Sequence, residues 1–389
     1  MYIIQTYNKV AEEGLKDFNH DMYSIVEETN RPDAILVHST PLHNIPLGPE
    51  LKAICRIGAG TNTIPVEKCT EKGIVVFNTP GGNANAVKEL TLAAIILCMR
   101  NVLSANEWVR TLKDGESDPG RAVEAGKEVY RGPEIMGKTI GIIGVGAIGS
   151  RVARACYDLG MHVVGYDPYL GHARLNELKH YVRFVQDVNE LYQASDIVSV
   201  HIPLTDANRG FGSRQAIDAM KDGVYLINYA RGPVIDNEAV CDAIDSGKIR
   251  GFATDFPTAR ELGYRQALCT PHLGAGTPEA DENCSVMAAR QICDYLENGN
   301  ITHSVNFPDV AFARAEGDRL TIMHYNRVGM LGKITEAVAA AGLNIENLVN
   351  KARGDMAYTL LDFNEKVPQQ IADALAAMEN VIRVRLIRA

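Results

Sequence analysis

The chain has little of what membrane-spanning, secreted and metal-binding proteins usually carry. Its longest apolar run, LAAIILCM at 92–99, is far shorter than the roughly 20 residues that span a bilayer. Its start, MYIIQTYNKVAEEG, lacks the basic region and the apolar core of a signal peptide. Its eight cysteines include no CxxC pair, and their spacing fits neither a zinc site nor a disulfide framework. These absences predict a soluble, cytoplasmic protein with reduced thiols and no metal.

Positive charge is scarce as well. The 389 residues carry a formal net charge of -9, which leaves no electrostatic footprint for nucleic acid or for an anionic membrane. A locally basic pocket for a small anion remains compatible with that total. The length and the 46% hydrophobic content predict two or three domains with buried cores.

Short apolar runs alternate with helix-forming segments through most of the chain. This alternation predicts an α/β fold of parallel sheets with helices on their faces. The spacing predicts one uninterrupted helix over 83–103 and, from residue 139 onward, an open unit of six strands. A polar, proline-containing stretch at 303–317 is typical of a linker. The tail, 318–389, changes to the order βαββαβ, which predicts a ferredoxin-like sandwich.

A glycine-rich motif stands between a strand and a helix of the second series. Gly144, Gly146 and Gly149 form G-x-G-x-x-G, led in by TIGII and followed by an amphipathic helix. The glycines permit a tight turn, close approach of a pyrophosphate, and helix–strand packing. Asp167 ends the next strand, eighteen positions after Gly149. A carboxylate there can accept the adenine ribose hydroxyls and repels a 2′-phosphate, so the motif predicts NAD as the cofactor.

Two side chains at strand ends could serve the reduction of a 2-oxo acid. Arg231 directly follows a buried strand, and His272 follows a later one. Because open α/β sheets bind ligands at the carboxyl ends of their strands, both fall on the rim where a substrate is expected. A guanidinium can hold a carboxylate in bidentate fashion, and a histidine can exchange a proton with the carbonyl oxygen.

Six segments resemble the D-isomer-specific 2-hydroxyacid dehydrogenases: GIIGVGAIG, GYDP, SVHIPLT, INYARGPVID, GFATDF and TPHLGAGT. The resemblance runs from about residue 50 to 300. It implies two Rossmann-like domains, a substrate-binding domain at 1–99 completed by 280–302 and an inserted NAD-binding domain at 100–279, with catalysis in the cleft between them. It implies that Arg231 binds the substrate and that His272 is the acid/base.

The same resemblance implies the remaining contacts. On the cofactor side, beside the glycine loop, these are Thr79, Ala147, Ile148, Asp167, Ile202, Ala230, Asp255 and Gly274. On the substrate side they are Arg56 with its RIGAGTN turn, Asn78 and Asn83. Arg56 is also the expected second cation for a phosphorylated substrate.

One residue departs from the family pattern. Family members usually place a glutamate five residues after the aspartate of DVF, where it orients the histidine. Here that offset from Asp255 falls on Arg260, or on Ala259 if one residue was deleted, and Glu261 is one position further. Either Glu261 supplies the carboxylate or His272 works without one, with an activity maximum at lower pH. Lys88, in an otherwise apolar helix, is either a second anion-binding group or a solvated helix end.

The tail resembles the ACT regulatory domain through HYNRVGMLGKITEAVAAAGLNI. A family member with one such domain is expected to oxidise D-3-phosphoglycerate to 3-phosphohydroxypyruvate, the first step of L-serine biosynthesis, under feedback by serine. His324, Asn326 and Asn344 would then bind L-serine between paired domains, although Val328 stands where proline is common. The apolar helix and the tail both predict a homodimer or homotetramer.

Three alternatives remain open from the sequence. The substrate could be another D-2-hydroxy acid, such as glycerate. The chain could be a non-catalytic NAD sensor on the same fold, a reading favoured slightly by the irregular glutamate and opposed by the retained Arg231 and His272. The tail could serve dimerisation alone.

Overall fold

Strands and helices alternate along the chain, and the computed structural model describes residues 1–8, 10–114 and 118–389. The strands are β1 (Tyr2–Tyr7), β2 (Tyr23–Val26), β3 (Ala34–Val37), β4 (Ala53–Arg56), β5 (Val75–Phe77), β6 (Thr139–Ile143), β7 (His162–Tyr166), β8 (Arg183–Phe184), β9 (Ile197–Val200), β10 (Val224–Asn228), β11 (Ile249–Thr254), β12 (Ala267–Cys269), β13 (Arg319–Tyr325), β14 (Asn347–Arg353), β15 (Met356–Asp362) and β16 (Val381–Ile387). The helices are α1 (Glu12–Leu15), α2 (Val66–Glu71), α3 (Ala84–Met99), α4 (Val102–Thr111), α5 (Pro119–Gly126), α6 (Gly149–Asp158), α7 (His172–Leu178), α8 (Val188–Ala194), α9 (Arg214–Ala219), α10 (Asn237–Asp245), α11 (Pro278–Asn298), α12 (Met330–Ala340) and α13 (Gln369–Ala376). Short 3₁₀ turns lie at Leu112–Asp114, Lys127–Tyr130, Gly232–Val234 and Glu261–Gly263.

The chain divides into two compact units. One comprises Met1–Asn83 and Pro278–Ala389, and the other comprises Ala84–Thr277. These limits differ from the expected boundaries at 99/100 and 279/280, because α3 packs against α6, β10 and β11 of the second unit. The tail belongs to the first unit.

A five-stranded parallel sheet in the order β2-β1-β3-β4-β5 forms the centre of the first unit. Strands β3 and β5 are buried along their whole length, as expected for strands covered on both faces. Helix α11 shares one core with this sheet, in which Ile292 and Leu296 join Ile4 and Leu36. Arg56 is the last residue of β4, so the sheet presents it at the carboxyl edge of the strands.

The second unit contains a parallel sheet in the order β12-β11-β10-β9-β6-β7-β8. From β6 onward the chain winds outward in both directions, as in dinucleotide-binding folds. The sheet has seven strands rather than the six expected, because β8 has only two residues, too few to show a periodicity. The glycine loop follows the carboxyl end of β6 in this sheet. Arg231 and His272 follow the carboxyl ends of β10 and β12 in the same sheet.

The helix expected over 83–103 is interrupted. Helix α3 ends at Met99 and α4 begins at Val102. Asn101 between them has a φ of 51°, a left-handed conformation that asparagine adopts more readily than most residues. Helix α3 buries residues along its whole length, among them Ala84, Thr91 and Met99, whereas α4 buries no residue.

The last seventy residues form an antiparallel sheet in the order β14-β15-β13-β16, with α12 and α13 inserted as the sequence predicts. Leu320, Ile322 and Leu361 pack with α12 and α13 in one core. Met323 and Tyr358 belong instead to the core of the five-stranded sheet. The tail sheet therefore packs on both of its faces, through one core shared with α12 and α13 and another shared with the five-stranded sheet.

Buried arginines join the tail to the rest of the first unit. Arg385 donates to the carbonyls of Tyr295 (3.0 Å) and Leu296 (2.8 Å), and Arg319 donates to that of Asn298 (2.8 Å). These carbonyls lie in the last turn of α11, where intrahelical donors are missing and positive charge is favourable. The stretch expected to be a linker is also packed, since Phe307 and Val310 are buried.

Two structural features are absent from residues 1–8, 10–114 and 118–389. No helix there is long and apolar enough to cross a membrane. Within the same residues, no group of three or more His, Cys, Asp or Glu side chains is placed to hold a metal ion.

Candidate active site

The glycine loop between β6 and α6 has the close contacts that its three glycines permit. Gly144 has a φ of +84°, and a Cβ there would lie 2.7 Å from the carbonyl oxygen of His201. A Cβ on Gly149 would lie 2.0 Å from the carbonyl oxygen of Gly144. Around Gly146, in contrast, a Cβ would meet nothing within 4 Å. The first and third glycines are thus required by packing, and the second opens a space beside the loop.

That space fits a pyrophosphate. Gly146 and Ala147 are exposed, Ile148 is half-buried, and they precede the first turn of α6. The first N–H groups of a helix have no intrahelical partner and carry a partial positive charge, so they suit a phosphate.

Asp167 follows β7 and closes the other side of the loop. Its Oδ2 accepts the N–H of Val145 at 2.9 Å, and its Oδ1 accepts the N–H of Tyr169 at 3.0 Å. A carboxylate has about four acceptor positions, so capacity remains for the two hydroxyls of a ribose. The side chain is half-buried, and its two hydrogen bonds fix its direction.

Ile202 and His201 follow β9 and pack on the glycine loop. Ile202 Cγ2 lies 2.7 Å from the position that a Gly144 Cβ would take. His201 was not singled out from the sequence. Its Nε2 lies 2.9 Å from the hydroxyl of Ser199, and its Nδ1 is buried without a hydrogen-bond partner in the described chain. Burial lowers the pKa of His201 to about 4, so the ring is neutral near pH 7.

Arg231 is held by the residue that ends β10. Asn228 is fully buried; its Oδ1 accepts the N–H of Ala230 and its Nδ2 donates to the carbonyl of Arg231, both at 3.1 Å. Arg231 Nη1 donates to the carbonyl of Ala230 at 2.7 Å. Burial lowers the pKa of the Arg231 guanidinium, which still stays charged at any physiological pH. Asn228 was missed in the sequence, although a polar residue ending an apolar strand is a usable signal.

His272 lies on a turn with unusual backbone geometry. Its φ is +56°, a region that few non-glycine residues occupy, and its side chain is exposed. The ring packs against Phe256 with the centroids 4.7 Å apart. Gly274, two residues later, is buried. Residues held in such conformations often belong to functional sites, where the surrounding structure enforces them.

Asp255 enforces this turn. Its Oδ1 accepts the hydroxyl of Thr270 and the N–H of Leu273 (3.0 Å), and its Oδ2 accepts the N–H of Gly274 (2.6 Å). Asp255 is only 3% exposed. The family resemblance implies that Asp255 contacts the cofactor. In the structure its carboxylate accepts three hydrogen bonds from residues of the His272 turn.

The carboxylate of Glu261 is bound within its own loop. Its carboxylate accepts the N–H of Thr258, and its Oε1 is buried without a partner among the residues described. Burial raises the pKa of this carboxyl. Arg260, which occupies the offset of the family's glutamate, instead binds three carboxylates of α10, those of Glu238, Asp242 and Asp245. These ion pairs tie the 256–264 loop to α10.

The predicted substrate-side residues of the first unit cluster around β4 and β5. Arg56 folds back over Gly58, since a Cβ on Gly58 would lie 1.3 Å from Arg56 Nη1. Thr79 is fully buried and bonds Gly58. Asn78 donates to the carbonyl of Ala59 at 2.6 Å. These contacts shape the RIGAGTN turn.

Asn83 and Lys88 lie on either side of the start of α3. The side-chain oxygen of Asn83 is buried, and no described residue donates to it, which leaves it available to a ligand. Lys88 is largely buried and lies 3.5 Å from Glu89, so its charge has a carboxylate neighbour.

The three predicted effector residues of the tail differ in exposure. His324 is 2% exposed, with Nδ1 at 2.9 Å from the carbonyl of Tyr325 and Nε2 at 2.9 Å from the hydroxyl of Thr359. Asn326 and Asn344 are exposed. Within one chain the His324 ring is therefore committed to interior partners.

Comparison with known proteins agrees with this geometry. The model of the D-isomer specific 2-hydroxyacid dehydrogenase NAD binding domain matches residues 92–274. D-3-phosphoglycerate dehydrogenase of Escherichia coli K12 is 32% identical over 355 residues, which cover 87% of this chain and 82% of that protein. The chain belongs to the D-isomer-specific 2-hydroxyacid dehydrogenase family. The resemblance expected from the sequence is confirmed.

Other members of the family are similar to a comparable degree. D-3-phosphoglycerate dehydrogenase of Haemophilus influenzae is 33% identical, over 88% of this chain and 83% of that protein. Hydroxypyruvate reductase of Thermotoga maritima is 36% identical, over 64% of this chain and 78% of that protein. The NAD+-bound 3-phosphoglycerate dehydrogenase of Entamoeba histolytica superposes with a TM-score of 0.62 at 27% identity, covering 78% of this chain and 98% of that one.

Membership of this family establishes an NAD-dependent D-2-hydroxyacid dehydrogenase with a small hydroxy acid as its substrate. The prediction of NAD is confirmed. The glycine loop, the open space at Gly146 and the tethered Asp167 fit that cofactor on structural grounds alone.

Proposed function

We propose that the chain oxidises D-3-phosphoglycerate to 3-phosphohydroxypyruvate, the first step of L-serine biosynthesis. The observation that carries this is the similarity to D-3-phosphoglycerate dehydrogenases over more than four-fifths of their length, 82% and 83% for the two bacterial proteins. Arg231, which follows β10, and Arg56, which ends β4, are the cations that the proposal assigns to the carboxylate and the phosphate of this substrate.

In this proposal Arg231 binds the substrate carboxylate and polarises the oxygen on C2. Its partial burial strengthens the interaction, since a guanidinium attracts a carboxylate more strongly where water is excluded. His272 takes the proton of the C2 hydroxyl during oxidation and returns it during reduction. The bound NAD would supply the hydride acceptor for C2. Gly146, Ala147, Ile148 and Asp167 would hold the cofactor.

Asp255 and Asn228 position the two reacting groups. In the proposal neither residue contacts the substrate. Asn228 fixes the turn that carries Arg231 through its hydrogen bonds, and Asp255 fixes the turn that carries His272. Such a shell of supporting bonds keeps a catalytic side chain within the narrow range of geometry that proton transfer needs.

Arg56 binds the phosphate in this proposal. Its guanidinium fork matches phosphate oxygens, and Gly58 allows it to fold back over the turn. Asn78 and Asn83 complete the substrate side.

The tail is proposed to be an ACT domain that binds L-serine. Its βαββαβ order and its sheet order support the fold, and exposed Asn326 and Asn344 support the ligand. His324, bonded to Thr359, would act by fixing the end of β13. The edge strand β14 and the exposed apolar residues of α4, among them Val102 and Val109, support a homodimer or homotetramer.

The test is NADH oxidation by the full chain with 3-phosphohydroxypyruvate, beside unphosphorylated hydroxypyruvate, with and without L-serine. A kcat/KM that favours the phosphorylated compound, together with inhibition by serine, is expected. Preference for hydroxypyruvate would overturn the substrate and leave the enzyme class. Turnover that serine does not affect would overturn the effector alone.

A second candidate is a hydroxypyruvate or glycerate dehydrogenase, which the 36% identity to hydroxypyruvate reductase of Thermotoga maritima favours. The same two substrates separate it from the first. An NAD sensor without turnover is tested by Arg231→Gln: a protein that performs its cellular role with this substitution would favour the sensor.

A further inference from the structure

We infer that Phe256 is a positioning residue for the proposed acid/base, His272. Its ring sets the direction of the imidazole relative to Arg231, the other reacting group. The inference rests on the roles proposed for these two residues. It gives an aromatic ring a part in orienting the histidine, a task that the family pattern gives to a glutamate.

The ring of Phe256 packs against the ring of His272. Their centroids lie 4.7 Å apart and their planes are tilted by 55°, which is within the range that aromatic pairs prefer. The bonds of Asp255 fix the backbone of this turn, where His272 has a φ of +56°. A fixed backbone does not by itself set the two side-chain torsions of a histidine. Phe256 supplies a surface that does.

Phe256 also contacts the turn that carries Arg231. Gly232 directly follows Arg231 and begins the 3₁₀ turn Gly232–Val234. A Cβ on Gly232 would lie 3.0 Å from Phe256 Cβ and 3.6 Å from Phe256 Cγ, so even the methyl group of an alanine would press on the phenylalanine. One side chain therefore touches the turns of both reacting groups.

Phe256 is itself held in place. It is half-buried, and its N–H donates to the hydroxyl of Thr254 at 3.0 Å. Further along the same loop, Arg260 binds carboxylates of α10 and Glu261 accepts the N–H of Thr258. A side chain can orient a second one only if its own position is fixed, and these bonds meet that condition.

The side chain of Phe256 can act on the reaction through position alone, because a phenyl ring exchanges no proton. Proton transfer requires the imidazole to lie within hydrogen-bond reach of the C2 oxygen, which Arg231 polarises in the proposal. A displacement of about 1 Å can cost two orders of magnitude in rate. Loss of the ring should therefore lower kcat and leave the affinity for NADH unchanged.

A purely structural role predicts a different result. If Phe256 only fills space, its loss lowers the melting temperature, and any effect on the rate is the same with and without the imidazole. If Phe256 positions His272, its loss lowers kcat only while the imidazole is present. A double-mutant cycle between the two residues separates these cases.

The experiment measures kcat, the KM for NADH and the melting temperature of the full chain, with the 2-oxo acid that wild type reduces faster. We expect Phe256→Leu, which keeps an apolar side chain without the flat ring, to lower kcat about tenfold, an effect of the size that an aromatic pair can contribute. Phe256→Tyr keeps the ring and should retain the wild-type value. In His272→Ala, whose residual rate is measured at high enzyme concentration, the addition of Phe256→Leu should lower kcat no further.

Gly232→Ala provides the test if Phe256→Leu does not fold. Its methyl group presses on Phe256 while the ring stays present, so kcat should fall in this variant too. Tyr181→Leu is the matched control. Tyr181 is another half-buried aromatic residue of the same unit, packed on Tyr157 with the centroids 5.9 Å apart, and it lies outside the candidate site. It should leave kcat unchanged.

An unchanged kcat in folded Phe256→Leu would overturn the inference, as would equal losses of kcat with and without His272. Where Phe256→Leu does not fold, an unchanged kcat in Gly232→Ala would overturn it. Failure of the proposed function gives a distinct result: wild type then reduces neither 3-phosphohydroxypyruvate nor hydroxypyruvate, or His272→Ala alone leaves kcat intact.

Discussion

The carboxylate of Asp255 holds Gly274, whose N–H lies 2.6 Å from its Oδ2, and the same carboxylate accepts Thr270 and Leu273. Because His272 lies between the bonded residues, its left-handed backbone is determined by the side chain of the residue that directly follows strand β11. The position of the proposed acid/base therefore depends on a residue seventeen positions earlier in the sequence.

Asp255→Asn should damage catalysis more than stability. The carboxylate accepts hydrogen bonds from Thr270, Leu273 and Gly274. An amide has a single acceptor oxygen, so its NH2 group would face at least one of these donors and could not accept from it. We expect kcat to fall about 100-fold through misplacement of His272, measured by initial rates with saturating NADH. Asp222→Asn is the control, since that carboxylate is 92% exposed and, in the described part of the chain, is paired with Lys248. An unchanged kcat would contradict the role given to Asp255.

Asn228→Asp should weaken the binding of the substrate. Aspartate keeps the acceptor for the N–H of Ala230 but loses the donor to the carbonyl of Arg231 and adds a buried charge. We expect kcat/KM to fall about tenfold, in line with one lost buried hydrogen bond. The exposed Asn176→Asp should have no effect. A loss confined to the KM for NADH would contradict this prediction.

The glycine loop and Asp167 could be predicted because each requirement is local. A tight turn, a close approach and a strand end all lie within one βαβ segment, and the sequence shows them directly. The break at Asn101 could not be predicted, because asparagine fits a helix and a left-handed turn alike.

The contacts of Arg260 and the burial of Glu261, both near His272, could not be predicted from the sequence. The role of Arg260 depends on α10 lying beside its loop, and the burial of Glu261 depends on the same packing. Likewise, His324 has an interior partner only because β13 pairs with β15, which carries Thr359. Contacts between distant segments decide these cases, and a motif does not encode them.

Glu261 should affect stability as a function of pH. Burial raises the pKa of its carboxyl in the folded chain above the unfolded value. The stabilisation that this shift contributes is therefore fully present in acid and is lost as the pH rises through the folded pKa. Glu261→Gln mimics the neutral form, so its melting temperature should exceed that of wild type at alkaline pH and equal it in acid.

The same variant tests the link to catalysis. Because Oε2 of Glu261 accepts the N–H of Thr258 and its Oε1 has no hydrogen-bond partner among the described residues, we expect the pH–rate profiles of wild type and Glu261→Gln to coincide. The exposed Glu365→Gln serves as the control for both measurements. A displaced activity maximum in Glu261→Gln would mean that the carboxylate reaches the histidine during turnover.

Arg385 should be essential for the stability of the first unit. It is 9% exposed, and it satisfies the carbonyls of Tyr295 and Leu296 at the end of α11. Arg385→Met keeps the apolar stem but removes the charged donor that both carbonyls share, leaving Tyr295 with the N–H of Gly299 (2.9 Å) and Leu296 with the hydroxyl of Tyr2 (3.1 Å), at a cost of about 2 kcal/mol in the free energy of unfolding. Urea denaturation measures this, with Arg290→Met as the control, since that guanidinium is 72% exposed. Equal stability of the two variants would mean that the tail is only loosely attached.

Arg56→Gln should separate the phosphorylated substrate from its unphosphorylated analogue. The proposal assigns Arg56 to the phosphate and Arg231 to the carboxylate, so only the phosphorylated compound loses a charge partner. A charge-assisted hydrogen bond contributes about 1.5–3 kcal/mol, so the KM for 3-phosphohydroxypyruvate should rise by about one to two orders of magnitude. The KM for hydroxypyruvate should change little, whereas Arg231→Gln should impair both compounds, because both carry the carboxylate. Equal losses for the two compounds in Arg56→Gln would remove Arg56 from the phosphate and assign it to the part that both share.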